Sequence, residues 1–443
     1  MFTRSIGYTE LIVSAAAVVL AAQAAPARAH SITERVSLGP RGVQGNDYSL
    51  NPSISADGRF VAFTSYASTL VPGDSNATGD VFVRDRLTRT TSRVSVGPGG
   101  AQANEYSQTG TGYGSNQAIS ADGRFVVFVS AATNLVPGDT NGFPDMFVRD
   151  RVKGTTRRMS LGPGGTQANE GSLNPAISAD GRFAAFSSYA TNLVRGDING
   201  ASDVFVRDRV TGTTQRVSLA LGGSQGNYDS HEPAISADGR FVAFLSYASN
   251  LVPGDTNGQG DVFVRDRKTA TTRRVSVGPR GIQANAFSDL PVISADGRFV
   301  AFFSEATNLV PGDTNGTWDV FIRDRVKETT RRVSVGPGGV QGNRSSYGQA
   351  ISADGRFVAF RSAASNFVPG DTNGFDDVFV RDRLKGTTRR VSLGPGGVQG
   401  NDGSGSPAIS ADGRFVAFDS GASNVVPGDT NGFLDVFVRI PAP

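Results

Sequence analysis

The chain has no cysteine, two histidines and a single tryptophan in 443 residues. Without cysteine there is no disulfide and no thiolate metal site, so packing must hold the fold. The histidines are His30 and His231. A pair this sparse excludes zinc sites built from His and Cys, and it leaves any Ser-His-Asp triad dependent on His231 alone. No Gly-x-Ser-x-Gly elbow is present. Basic runs are missing as well, so nucleic acid is not an expected partner. Past residue 30 no apolar stretch approaches the ~18 residues of a membrane span.

The N-terminus reads as an export signal. Arg4 supplies the positive charge, LIVSAAAVVLAA (11–22) the apolar stretch, and ARA (27–29) a small-x-small cleavage site. Residues 1–29 are the expected signal peptide, and the mature chain is expected to begin at His30, in the periplasm or outside the cell. The net charge of +3 hides 43 basic and 40 acidic residues, mostly side by side as in VRDR.

Glycine, at 56 residues, points to many tight turns. Those turns recur. ISADGRF occurs at Ile54, Ile119, Ile177, Ile235, Ile293, Ile351 and Ile409, first 65 residues apart and then 58. A fixed period of this size dictates architecture. In the unit beginning at Pro233, PAIS is a short apolar run and ADGR a tight turn. FVAFLS is a second run, YASNLVPGDTNGQG a long loop, DVFVRD a third run, RKTATT a turn and RRVSVG a fourth run. No helical periodicity interrupts them. FVAF and VFV are apolar at consecutive positions and suit strands buried on both faces. RRVSVG alternates, as a half-exposed outer strand would.

The reading is therefore an all-β, seven-bladed β-propeller of four-stranded antiparallel blades, one domain over 30–443. Its repeats lie near 47–104, 105–169, 170–227, 228–285, 286–343, 344–401 and 402–440. The last repeat lacks its fourth strand, and TERVSLGPRGVQGN (33–46) supplies that wording with no blade before it. Strand 34–39 is expected to complete the last blade, closing the ring and removing an open edge.

The unit resembles the bacterial TolB-type propeller repeat. There a Ser-x-Asp-Gly turn precedes an apolar strand, and a later strand ending in Asp leads into a Thr-Gly turn. The matching stretches here are SADGRFVAF and VFVRDRVTGTT, and the resemblance runs from residue 33 to 440. Ala replaces the usual Pro of the first turn, and the loop between the second and third strands is longer. TolB carries a separate N-terminal domain for which this chain has no room, so the resemblance implies the fold and not the Tol–Pal role.

Each repeat carries Asp-x-Asn-x-x-x-Asp in its long loop. The sets are Asp74, Asn76 and Asp80; Asp139, Asn141 and Asp145; Asp197, Asn199 and Asp203; Asp255, Asn257 and Asp261; Asp313, Asn315 and Asp319; Asp371, Asn373 and Asp377; and Asp429, Asn431 and Asp435. Alternating oxygen donors beside a glycine suit a hard cation such as Ca²⁺, bound weakly. The same pattern suits an Asx-turn that ties the loop to the following strand. Both readings stand on sequence.

In an up-and-down blade the two long connections emerge on one face and the two tight turns on the other. The repeat breaks mostly on the long-loop face, at Tyr106, Tyr113, His231, Glu232, Trp318, Arg344 and Tyr347. Aromatic and charged residues gathered on one rim suit recognition. The expectation is a monomeric, non-enzymatic binding or scaffold module for a protein or glycan. The alternative is a secreted carbohydrate-active propeller, lectin or glycosidase.

Overall fold

The computed structural model describes Met1 and residues 31–110 and 117–440. Its strands form seven four-stranded antiparallel sheets, each a meander in chain order except the last. The fourth blade shows the pattern: inner strand Ser230–Ile235, then Phe241–Ser246, Asp261–Asp266 and outer strand Thr271–Arg274. The last blade takes Ser404–Ile409, Val416–Ser420 and Asp435–Ile440 from the C-terminal end and Ile32–Arg35 from the N-terminal end. Ile32 pairs with Ile440 and Arg35 with Phe437.

The ring closes as expected, but the closing strand is shorter and earlier than 34–39. The same shift holds in the other blades. The outer strand is the Thr-Thr-x-Arg segment, and the Val-Ser-Val that follows leaves the ladder. Nor is that segment half-exposed. Ser276 and the side chain of Arg274 are buried as fully as Val275 and Val277. The cause is local chemistry: Ser276 Oγ donates to Asp261 (2.5 Å) and accepts from the Val262 N–H (3.1 Å), drawing the chain inward.

The core lies between blades, as layers rather than one centre. Phe63 and Phe82 stack at 6.0 Å on the second and third strands of blade one, and the equivalent rings stack in the others. At the last joint Val36, Val61, Phe63 and Leu70 pack on Ala417, Val436 and Val438, so the N-terminal segment is part of the core.

Two further contacts repeat at every joint. The ring of Phe60 lies under the next blade's turn, where a Cβ on Gly123 would overlap it; that glycine also has φ +72°. The Arg59 and Arg151 guanidinium groups both sit 4.6 Å from the Phe60 centroid, one from its own blade and one from the next. Beside the axis, the alanine of each Ser-Ala-Asp-Gly turn donates its N–H to the alanine carbonyl of the following blade. The chain of bonds runs Ala56, Ala121, Ala179, Ala237, Ala295, Ala353, Ala411 and back to Ala56, at 2.9–3.1 Å. Proline cannot donate here, so this ring gives a reason for alanine where the TolB-type repeat has proline.

Removing residues 31–36 should therefore be severe. It strips Val36 from the core and strands Asp429 and Asp435, the buried partners of Arg35 (2.6 and 3.3 Å). Stranding a buried charge alone costs about 3–5 kcal/mol, and a denaturant melt of the truncated chain should show at least that loss. Ala179→Pro should cost about 1 kcal/mol through one missing donor, while Ala179→Ser leaves the melt nearly unchanged.

Candidate functional site

The Asp-x-Asn loops are built around an arginine. In blade two Arg158 reaches from the outer strand to Asp139 (2.7 Å) and Asp145 (3.3 Å), all three side chains almost wholly buried. Asn141 Nδ2 donates to Asp145 Oδ2 (2.9 Å) and to the Ala168 carbonyl (3.0 Å), and Ser160 donates to Asp145 Oδ1 (2.5 Å). The same arginine occupies every set: Arg35, Arg93, Arg158, Arg216, Arg274, Arg332 and Arg390. Burial pushes the Asp145 carboxyl up, and Ser160 and Arg158 pull it back down. Among the described residues no cluster of three or more His, Cys, Asp or Glu is disposed to hold a metal ion. A cation here would have to displace a buried guanidinium that already bridges both carboxylates.

A different set of residues meets at the axis. In six blades the inner strand starts on the long-loop face and soon breaks register with its neighbour, as between Leu173 and Ala176 or His231 and Ala234. The bulge holds a positive-φ residue: Asn51, Asn174, Glu232, Leu290, Gly348 or Ser406. Five of these are not glycine, a backbone choice that costs energy most clearly at Leu290 and Glu232.

The bulges touch one another around the channel mouth. Asn174 Nδ2 donates to Glu232 (2.7 Å), Gln349 Nε2 to the Leu290 carbonyl, and the Asn51 N–H to Asp419 (3.1 Å). Below them the channel narrows to a cavity of about 170 Å³ lined by the isoleucines and alanines of the ISADGRF segments. Gln117 crosses it, accepting the Ile235 N–H at 2.9 Å.

His231 and Glu232 thus lie within the inner strand of blade four, not in a loop ahead of it. His231 Nδ1 is 3.2 Å from Ser202 Oγ, and its ring faces Tyr189 at 6.1 Å. Burial lowers its pKa against the pull of Asp229. Glu232 is raised to about 8 by burial and then by Asp289, with Asn174 opposing; burial raises Asp289 to about 6.

Tyr347 likewise belongs to an inner strand, Ser346–Ile351. Trp318 turns towards the neighbouring inner strands: its indole N–H donates to Glu305, and its ring lies 5.2 Å from Phe303 and 5.8 Å from Tyr347. The rings continue through Phe287, Tyr247 and Tyr228 at spacings of 6.1–6.4 Å. At the other end Arg361 covers Tyr347 at 5.1 Å and is held by Asp376 (2.8 Å). Arg344 is exposed in the preceding loop, and Tyr106 is half-buried beside blade two. Tyr113 lies outside the described residues.

Sequence reasoning missed Asp289, Phe303, Arg361, Asp376 and Asp419. A signal was available. The last residue but one of each second strand lies opposite the inner strand near its bulge, and it is Thr64, Val129, Ser187, Leu245, Phe303, Arg361 or Asp419. No two blades agree there, although the neighbouring positions scarcely vary.

No family model matches the chain, and no curated protein matches it. Solved structures do. TolB from Acinetobacter baumannii is 13% identical over 87% of this chain and 81% of its own, with a TM-score of 0.39. An oligogalacturonate lyase in complex with manganese is 12% identical over 93% and 96%, at 0.51. The β-propeller domain of the Trilobed protease from Pyrococcus furiosus is 11% identical over 88% and 92%, at 0.52. The likeness is one of fold. The Pyrococcus domain is described as having an open velcro topology, whereas strand Ile32–Arg35 closes the ring here.

The arginine-braced loops predict that EDTA or added Ca²⁺ leaves the thermal melt superimposable. Arg332→Ala should destabilise by about 3–5 kcal/mol, because it abandons two buried carboxylates. The mouth predicts a pH dependence of the opposite kind to acid denaturation. Glu232 and Asp289 bind protons more tightly folded than unfolded, so their contribution is fully present below pH 4 and falls as pH rises towards 8. Urea melts between pH 5 and 8 should show that decline, and Glu232→Gln should flatten it.

Proposed function

We propose that the chain is an exported binding module that takes its ligand at the channel mouth on the long-loop face. One observation carries this reading: in a chain of near-identical repeats, the residues that differ between blades gather around that mouth. A scaffold alone gives no reason for Glu232, Asp289, Phe303, Trp318, Tyr347 and Arg361 to depart from the repeat together.

The ligand chemistry is that of a glycan chain. Aromatic rings running from Tyr228 to Tyr347 offer flat apolar faces, and carboxylates on Glu305, Asp376 and Asp289 accept from hydroxyls. The Asp-x-Asn loops serve as arginine-braced turns that hold the rim in place rather than as calcium sites. Export is supported by the N-terminal segment, and N-terminal sequencing of the protein from a periplasmic or culture-fluid fraction should begin at His30.

A catalytic reading has one specific observation behind it. A catalytic pair should break the repeat, and Glu232 and Asp289 do so with their pKa values held apart at about 8 and about 6. Turnover of a bound oligosaccharide, abolished by Glu232→Gln with binding retained, would establish an enzyme; binding without turnover establishes the module.

Immobilised-glycan binding tests the mouth directly. Trp318→Ala or Tyr347→Ala should weaken binding by about 1–2 kcal/mol or more with the far-ultraviolet circular dichroism unchanged. Thr211→Ala, on the tight-turn face, should do neither.

A further inference from the structure

The small net charge conceals a separation between the two faces. On the long-loop face each blade sets two aspartates, as Asp139 and Asp145, against one arginine, and the mouth adds further carboxylates. On the tight-turn side most blades carry three arginines, as Arg59, Arg84 and Arg86, against two aspartates, Asp57 and Asp85; Arg84 is buried on the Leu38 carbonyl and Thr91, so the surplus at the surface comes from the turns themselves.

Those aspartates are committed. Asp85 receives Arg59 in a two-pronged pair (2.9 and 2.7 Å), and Asp57 folds back on Ser55 Oγ and the Arg59 N–H within its own turn. The turns between third and outer strands add more positive charge in five of six cases: Arg89, Lys153, Lys268, Lys327 and Lys385, all exposed. Glu328 is the one acidic residue in those turns, and it sits 3.9 Å from Arg273.

The same turns carry large aliphatic side chains in the open. Leu87, Val152, Val210, Val326 and Leu384 are 69–79% exposed, more than most large apolar side chains of the described surface. They occupy one position of the repeat, immediately after Arg-Asp-Arg, and the sixth turn has Lys268 there. Equivalent positions of equivalent blades stand at one height around the axis. The result is five aliphatic tips at one level, in five of the seven blades, each beside an arginine and most near a further lysine or arginine.

We propose that this face is a docking surface for an anionic lipid bilayer. Flatness, apolar tips and a surplus of positive charge are the three properties such a surface selects. The tips enter the boundary between headgroups and acyl chains, and the basic residues meet the lipid phosphates; neither signal suffices alone for stable attachment. Charge complementarity favours this occupant: these tips stand among exposed Arg89, Lys153, Lys327 and Lys385, whereas the aliphatics of the blade-to-blade loops, such as Val340 and Val398, lie on the acidic face. Docking in this manner leaves the channel mouth turned away from the membrane, open to a ligand.

Co-sedimentation of the chain with vesicles tests the proposal. Vesicles of phosphatidylglycerol mixed with phosphatidylcholine should retain it, pure phosphatidylcholine should not, and raised salt should release it. Replacing the five aliphatics by serine should weaken retention at least about tenfold. The triple change Lys153→Glu, Lys327→Glu and Lys385→Glu should do the same. All these side chains are exposed, so circular dichroism and the melt should stay those of the parent. The control pair Val340→Ser and Val398→Ser should bind as the parent does. Failure to bind anionic vesicles would overturn the proposal, as would binding that survives both sets of changes or a loss shared by the control. Capture of a protein through these turns without vesicle binding would also overturn it.

Discussion

A ring of seven blades closes only if every joint has nearly the same geometry, and the rest of this molecule follows from that constraint. An error of a few degrees at one joint would accumulate around the circle. The sequence answers with three contacts written into each repeat. The alanine N–H bonds form a closed hoop at the axis. The phenylalanine of one blade, clamped between two arginines, fills the space under the next blade's glycine. On the other face the Asn of each Gln-x-Asn segment exchanges bonds with the following blade's loop, as Asn104 does with Thr133 and Asn134. Six of the seven joints carry all three; at the joint into the last blade Phe357 has Arg356 alone, because that blade reads Arg-Ile-Pro where the others read Arg-Asp-Arg.

This constraint explains why so much of the fold was legible. Fixed spacing of ISADGRF set the number of blades, and the unfinished last repeat matched against TERVSLG disclosed the closure. Strand boundaries were less legible. RRVSVG alternates like an outer strand, yet its serine is drawn inward by a buried aspartate fifteen residues earlier in the chain, a contact that periodicity does not register. The Asp-x-Asn sets could be read two ways, as cation loops or as Asx-turns, for a related reason. Their spacing suits either, and the arginine that lies against both carboxylates comes from another strand of the blade, where spacing does not show it.

The site was half legible. Single anomalies such as Trp318, His231 and Tyr347 stand out in a repetitive sequence, and the structure brings Trp318 and Tyr347 into one run of rings. Arg361 and Asp419 were overlooked because each sits inside an apolar strand whose pattern is otherwise intact. Comparing the blades with one another, position by position, separates the residues that serve the ring from those that do not. Everything the joints require is repeated, and the freedom that remains is concentrated where the inner strands bulge at the mouth. The charge follows the same division, with an acidic, aromatic mouth on one face and basic turns on the other.

The central claim is that the mouth of the channel, and not the repeated frame, carries function. It is tested most directly by rewriting blades four and five in the wording of blades one and three, where Leu50-Asn51 and Leu173-Asn174 occupy the bulge. The variant carries His231→Leu, Glu232→Asn, Asp289→Leu and Leu290→Asn, and the measurement is its binding to the immobilised glycans retained by the parent. The account predicts a ring that melts no lower than the parent near neutral pH and no longer holds the glycan. Glycan binding equal to the parent's, in a folded variant, would contradict it.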